Sequence, residues 1–312
     1  MTHVQMDDAT HNLLRRGVAE IIGEPELVAW LTSGRTLRLK QGFDPSRPNL
    51  HLGHAVGLRK LRQFQDRGHR VVLIVGDWTA QIGDPSGRDQ SRPRLSADEV
   101  RRNAETYMEQ FFRIVDANKT EVRRQSEWYG SFSLSDVFEL TARFTLADML
   151  AHETFRHRFE NQQPLSLMEL MYPLLQAYDS VAVNADVEFG GTDQKFNILA
   201  GRQLQEMLGQ RPQAVVLVPL IAGADGRKMS KSFGNTIDVI DAPTDMYGKL
   251  MSMSDDMLPI YFETLTDVPE RELTSMQLAM QLGQLNPRDA KMRLAREVVA
   301  MVHGAAAAQA AE

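Results

Sequence analysis

The chain has 312 residues, a formal net charge of −6 and no cysteine. That length is ample for a large core and suits two domains or one domain with appendages, and the lack of cysteine removes disulfides, thiolate catalysis and Cys-based zinc sites and fits a reducing compartment. The acidic balance argues against a general polyanion binder but leaves room for a local basic groove that meets a structured RNA.

Residues 1–12 are polar, with His and Asp, and lack the basic start and apolar run of a signal peptide, so a cytoplasmic location is expected. In residues 1–34, Leu13, Leu14, Val18, Ile21, Ile22, Leu27, Val28, Trp30 and Leu31 recur at helical spacing and predict two short helices. The apolar runs at 71–75 and 214–224 are far short of the roughly 20 residues that span a bilayer and read as buried strands, with no membrane partner expected. Strand-like runs at 37–39, 71–75 and 215–218 alternate with helical stretches, which predicts an α/β class, a doubly wound parallel sheet with crossover helices, over residues 35–222. Ser96-Ala97-Asp98-Glu99 reads as a capping box opening a long helix through about 116, and 132–160 continues helically. A helical insertion is therefore expected at about 117–180. From 223 onward the chain reads as a glycine-flanked basic loop and then a Met-rich helical domain punctuated by prolines, ending in an Ala-rich stretch.

Two short elements carry the chemistry. His51-Leu52-Gly53-His54 follows the turn Gly42-Phe43-Asp44-Pro45-Ser46 and opens a helix. Helix N-termini attract phosphate, imidazoles add directed donors toward oxygens that gain charge, and Gly53 leaves room for a nucleotide. A plain capping pair would use the same residues. The second element is Lys228-Met229-Ser230-Lys231-Ser232, set between glycines after a buried strand. Lys228 and Lys231 suit a mobile lid that neutralises a departing pyrophosphate, although a solvated basic loop has the same composition. The spacing is not that of a Walker A loop.

Together, in this order and on an α/β core, the two elements resemble the HIGH and KMSKS motifs of class I aminoacyl-tRNA synthetases. Further stretches sharpen the resemblance to the bacterial tyrosyl-tRNA synthetase branch: Gly42-Phe43-Asp44-Pro45, Gly83-Asp84-Pro85-Ser86-Gly87, Tyr172-Pro173-Leu174-Leu175-Gln176-Ala177-Tyr178-Asp179 and Gly190-Gly191-Thr192-Asp193-Gln194. The resemblance implies activation of L-tyrosine by ATP, with Mg²⁺ carried on the nucleotide, and transfer to tRNA(Tyr). It implies that Tyr172, Gln176 and Asp84 hold the substrate ammonium, that Asp179 accepts from the phenol, and that Gln194 lies near the carboxylate. Gly42, Asp44, Ser46, His51, Gly53, His54, Gly191, Asp193, Lys228, Met229, Ser230 and Lys231 are implied at ATP, Arg88 and Arg92 at pyrophosphate. Tyr172, Gln176 and Asp179 fall at i, i+4 and i+7, one face of a helix. An acceptor buried there rejects phenylalanine because it would be left unpaired, an effect for which this enzyme family is itself the usual illustration.

Two positions depart from the family pattern. Lys40 stands where many members have a second phenol-contacting tyrosine, and Lys195 where tryptophan is common. His152-Glu153 and His157 lack the spacing of a zinc-binding helix, so no protein-held metal is expected. The resemblance further implies a homodimer through about 132–176. Members usually continue into a small RNA-binding module of the S4 type, which is not visible here, so a catalytic core competent in adenylate formation is expected. The alternatives are tryptophanyl-tRNA synthetase, an HxGH nucleotidyltransferase, and an RNA-binding paralogue without catalysis.

Overall fold

A computed structural model describes residues 6–86, 95–223, 225–227, 229 and 234–312. Helix α1 (Asp8–Arg15) starts on Asp7, whose carboxylate accepts from the Thr10 amide, and buries Leu13 and Leu14. The next apolar pair departs from the helical expectation. Glu20–Ile22 is strand β1, and only then comes helix α2 (Glu24–Thr32). Gly17 and Gly23, at φ +62° and +76°, bracket the strand and reset the chain direction, and branched Ile21 and Ile22 suit an extended edge better than a helix.

The remaining strands are β2 (Arg38–Phe43), β3 (Arg70–Val75), β4 (Thr120–Arg124), β5 (Val187–Gly191) and β6 (Ala214–Val218). Their order across the sheet is β1-β6-β5-β2-β3-β4, parallel throughout except for the edge pair β1–β6. Along β3 the side chains alternate between two cores, Val71 and Leu73 with Leu58, Leu61 and Phe64, Val72 and Ile74 with Trp128, Leu174 and Leu175. Both faces are thus covered, as the doubly wound class requires. The chain leaves β2 to one side for β3 and returns on the other as β5. That reversal of strand order opens a crevice at the carboxyl ends of β2 and β5.

Helix α3 (Leu52–Gln65) is the crossover from β2 to β3, and α4 (Thr79–Ile82) follows β3 directly. The helix expected from 96 to about 116 is two: α5 (Ala97–Glu105), which begins on the expected Ser96–Glu99 capping box, and α6 (Tyr107–Phe111). The break falls at Thr106, whose hydroxyl donates to the Pro48 carbonyl. Strand β4 was not expected at all. Its residues, TEVRR, are half-buried from end to end, so no alternation of polar and apolar side chains marks it. The stretch 117–180 accordingly contains a sheet strand as well as helices α7 (Ser126–Tyr129), α8 (Leu134–Thr141), α9 (Leu146–Leu150), α10 (Glu153–Glu160) and α11 (Leu167–Ala182). Ser133–Asp136, Thr145–Asp148 and Ser166–Glu169 are capping boxes that restart the chain each time.

Helix α12 (Lys195–Met207) packs along α11 and leads to β6. Helices α13 (Pro243–Met251), α14 (Leu258–Leu265), α15 (Glu270–Gln281), α16 (Pro287–His303) and α17 (Ala305–Ala311) complete the chain. Their apolar faces join the core of α3 through Leu258, Tyr261, Leu294 and Val298. Arg16 ties the end of α14 to the N-terminal segment by donating to the Phe262, Glu263 and Thr266 carbonyls.

Candidate active site

At the crevice lies a cavity of about 650 Å³ lined by residues from both halves of the sheet. It gathers Gly42, Asp44, Ser46, His51, Gly53, His54, Gly191, Asp193 and Met229, and also Asp84, Tyr172, Gln176, Asp179 and Gln194. Every described residue that the resemblance placed in the site therefore lines one space. Arg88, Arg92, Lys228, Ser230 and Lys231 lie outside the described residues.

On the α3 side, His51 is the N-cap, and the capping reading of the histidine pair holds. The Gly53 amide donates to His51 Nδ1 and the His51 amide donates to His54 Nδ1, each at 3.2 Å. This reciprocal capping occupies both Nδ1 atoms as acceptors, which assigns the ring protons to Nε2 and leaves each imidazole a donor. The rings stand 4.0 Å apart on the cavity wall. Gly53 has a steric reason in the structure: a Cβ there would come 2.9 Å from the His51 ring. Met229 Sδ lies 3.9 Å from that same point, so the two motifs meet at Gly53. Backbone bonds from Leu52 N to Ile237 O and from Val239 N to Leu50 O, both 2.9 Å, pin the segment after the basic loop onto the histidine turn. On the near side of that loop, the Asp225 carboxylate accepts from Asn235 Nδ2 and from the Arg227 side chain and amide, and these hydrogen bonds, that of Asn235 foremost, hold its pKa down to about 2.

At the sheet end, Asp44 follows β2 and accepts from Thr79 Oγ1 at 2.7 Å and from the Tyr172 hydroxyl at 2.9 Å. It thus joins the turn after β2 to α11. Asp84 accepts from the Ser86 amide and from Gln194 Nε2, both at 2.9 Å. Gly76 must lack a side chain, because a Cβ would overlap Asp44 Oδ1 and lie 2.5 Å from Thr79 Oγ1. Gly76→Ala is expected to expel the Asp44 carboxylate, cost about 1–3 kcal/mol in an equilibrium melt, and raise substrate KM values together.

Asp179, which also lines the cavity, is 2% exposed. Its oxygens accept from Gln125 Nε2 at 2.8 Å and Trp128 Nε1 at 3.2 Å. Burial pushes its pKa up to about 7, against the pull of the Lys40 charge and of the Gln125 hydrogen bond. Gln125 is itself oriented by the Trp78 and Thr79 amides, which donate to its Oε1. Gln125, Thr79 and Tyr107 line the cavity and were not found from sequence. No motif marks them, since Gln125 is brought in by β4, the strand the pattern hid.

The two departures from the family pattern resolve differently. Lys40 does not line the cavity; its Nζ, fully buried, bonds Glu188 Oε1 and the Gln176 carbonyl at 2.9 Å and Ser180 Oγ at 2.8 Å. Lys195 is exposed and pairs with Glu20 of β1 at 2.7 Å, fastening the start of α12 to the sheet edge.

With this geometry in place, the chain can be set beside known proteins. The family model for class I tRNA synthetases (W and Y) matches residues 32–312. A tyrosine–tRNA ligase of Dehalococcoides mccartyi is 57% identical over 309 residues, 99% of this chain and 78% of that protein. One from Thermotoga maritima is 51% identical over 293 residues, 94% of this chain and 73% of that protein. Among solved structures, a C-terminally truncated mitochondrial tyrosyl-tRNA synthetase of Aspergillus nidulans has a TM-score of 0.81 at 22% identity, covering 98% of this chain and 92% of that one. The tyrosyl-tRNA synthetase of Archaeoglobus fulgidus complexed with L-tyrosine has 0.76 at 20%, covering 96% and 99%. These two share the fold, and the closer sequences share nearly the whole of this chain; it belongs to the class I tRNA synthetases of the tryptophan and tyrosine group.

Proposed function

We propose that the cavity activates L-tyrosine with ATP to tyrosyl-adenylate and pyrophosphate and then passes the tyrosyl group to the 3′ end of tRNA(Tyr), the activity of a tyrosine–tRNA ligase. The observation that carries this reading over the tryptophanyl alternative is the buried Asp179 carboxylate lining the cavity, a partner for a phenol hydroxyl. The curated relatives at half identity or more bear the same activity in their names.

The chemistry needs little proton transfer. An α-carboxylate, with a pKa of about 3.3–3.7, is already ionised at neutral pH and attacks the α-phosphate without a general base. The protein's task is to hold the reactants in line and to meet the charge that grows on phosphate oxygens. His51 and His54 supply Nε2–H donors at the positive end of α3, and Lys228 and Lys231 of the basic loop supply charge, with Arg88 and Arg92 toward pyrophosphate. Asp84, Tyr172 and Gln176 form the ammonium site, Gln194 faces the carboxylate, and Gly191 and Asp193 face the ribose. Mg²⁺ enters with the nucleotide, as part of the MgATP substrate. In the second step a ribose hydroxyl of the terminal adenosine attacks the mixed anhydride, expelling AMP.

His54→Ala removes a donor that acts on the transition state and is expected to lower kcat for adenylate formation by about 10²–10³-fold with little change in KM. It also strips the acceptor from the His51 amide, a loss of about 1 kcal/mol visible in thermal melts. Pre-steady-state adenylate formation separates the two effects.

A homodimer, in a cytoplasmic setting, completes the reading. Leu134, Phe138, Leu146, Phe159 and Leu167 are more than half exposed and all fall within the stretch expected at the interface. Sedimentation of wild type against Phe138→Glu tests it, with a shift to monomer expected.

A further inference from the structure

The buried pair beneath the cavity has no part in the steps above, yet it touches the helix that builds the tyrosine pocket. Lys40 and Glu188 are direct cross-strand partners in the β2–β5 register. Glu188 collects Lys40 Nζ and Gln176 Nε2 on one oxygen, and Ser180 Oγ and Gln213 Nε2 on the other. Lys40 in turn reaches the Gln176 carbonyl and Ser180 Oγ on α11. The pair thus grips α11 at 176 and 180, on either side of Asp179. Both side chains are essentially inaccessible, at 0% and 1%.

A buried ion pair is a poor stabiliser, because desolvation offsets the attraction and an apolar pair of similar volume often serves as well. Its place between the sheet and the tyrosine-binding face of α11 suggests a different use. Resting on the tyrosine reading above, we propose that Lys40 and Glu188 are positioning residues for tyrosine recognition: they lock the Gln176–Ser180 turn of α11 to the sheet and set the charge state of Asp179 that the substrate hydroxyl meets. The groups facing Asp179 support this. From its own helix come Gln176 and Ser180, from α7 and its N-cap come Trp128 and Gln125, from β2 comes Lys40 and from β5 Glu188. Tyr129, close by, is neutral, its hydroxyl donated to the Leu175 carbonyl at 2.7 Å and its pKa pushed well up by burial. Among the described residues, Lys40 and Glu188 are the charged groups that act on Asp179, and they act in opposite senses, Lys40 favouring the carboxylate and Glu188 opposing it.

Opposite senses make the test selective. In ATP–pyrophosphate exchange, KM for tyrosine is followed from pH 6 to 8.5 for wild type, Lys40→Met and Glu188→Gln, with the inhibition constant of phenylalanine as the control that lacks a hydroxyl. Wild type is expected to lose affinity for tyrosine below about pH 7, where Asp179 takes up a proton. Lys40→Met is expected to move that inflection up by a pH unit or more, raising the tyrosine KM at pH 7 about tenfold, with phenylalanine inhibition changed less than threefold. Glu188→Gln, of the same size, is expected to move the inflection down while Lys40 keeps its oxygen partners; it carries the test if Lys40→Met does not fold. Coincident inflections in the folded variants, or equal losses for tyrosine and phenylalanine, would overturn the proposal and leave a merely structural pair. Absence of tyrosine-dependent exchange in wild type would instead remove the tyrosine reading itself.

Discussion

Replacing Asp179 by Asn is expected to lower kcat/KM for tyrosine activation about 10²–10³-fold, some 3–4 kcal/mol, while leaving phenylalanine within a few-fold of its starting value. The amide keeps the volume and can still accept from Trp128, so the pocket is not emptied. What it loses is the charged acceptor that a phenol hydroxyl meets in a site shut off from water, where an imperfectly paired hydroxyl costs its full desolvation. The amide NH₂ also turns toward Gln125 Nε2, donor against donor, at a position where the structure has a 2.8 Å hydrogen bond. The effect falls on the difference between tyrosine and phenylalanine, so the ratio of the two kcat/KM values collapses. Measuring both substrates in exchange, with circular dichroism to verify folding, checks it. Equal losses for both would show that Asp179 merely supports the fold.

Arg158→Met carries the largest expected effect on stability. Arg158 is 1% exposed and bridges α10 to α11 by donating to Glu169 Oε1 at 2.8 Å and to the Pro164 carbonyl. Removing one partner of such a pair leaves a buried carboxylate uncompensated, at a cost of about 3–5 kcal/mol. Glu169 also closes the capping box of α11 through the Ser166 amide, so the start of the helix that carries Tyr172, Gln176 and Asp179 is undermined as well. Denaturant unfolding is expected to show the loss, with tyrosine KM rising before the global transition. Arg158→Met/Glu169→Leu is expected to recover much of the stability, since the pair is then replaced rather than broken.

The sequence made the cavity legible because its wall is built from contiguous motifs. His51 and His54 announce a helix N-terminus through local spacing, and Tyr172, Gln176 and Asp179 share a face through helical periodicity alone. Strands β3 and β6 were legible because each carries an apolar run against a fully covered sheet, and β2 only through Leu37 and Leu39 at its start. What stayed hidden depends on registers that no local pattern encodes. The polar strand β4 sits half-covered at the sheet edge, so it shows neither a run nor an alternation, and with it went Gln125 and Trp128, the two donors on Asp179. Ile21 and Ile22 kept helical spacing with their neighbours, and only the flanking glycines turn them into an edge strand. Lys40 read as the loss of a pocket contact. Only the β2–β5 register, which sets it opposite Glu188, gives it a partner and a place behind the pocket.

The most direct single measurement is ATP–pyrophosphate exchange on the purified chain with tyrosine, tryptophan and phenylalanine in parallel, because it tests catalysis and side-chain choice without tRNA. Exchange with tyrosine, at least a hundredfold above phenylalanine and tryptophan, is expected if Asp179 reads the phenol. Exchange with tryptophan, or silence with all three from folded protein, would contradict tyrosine activation at this cavity.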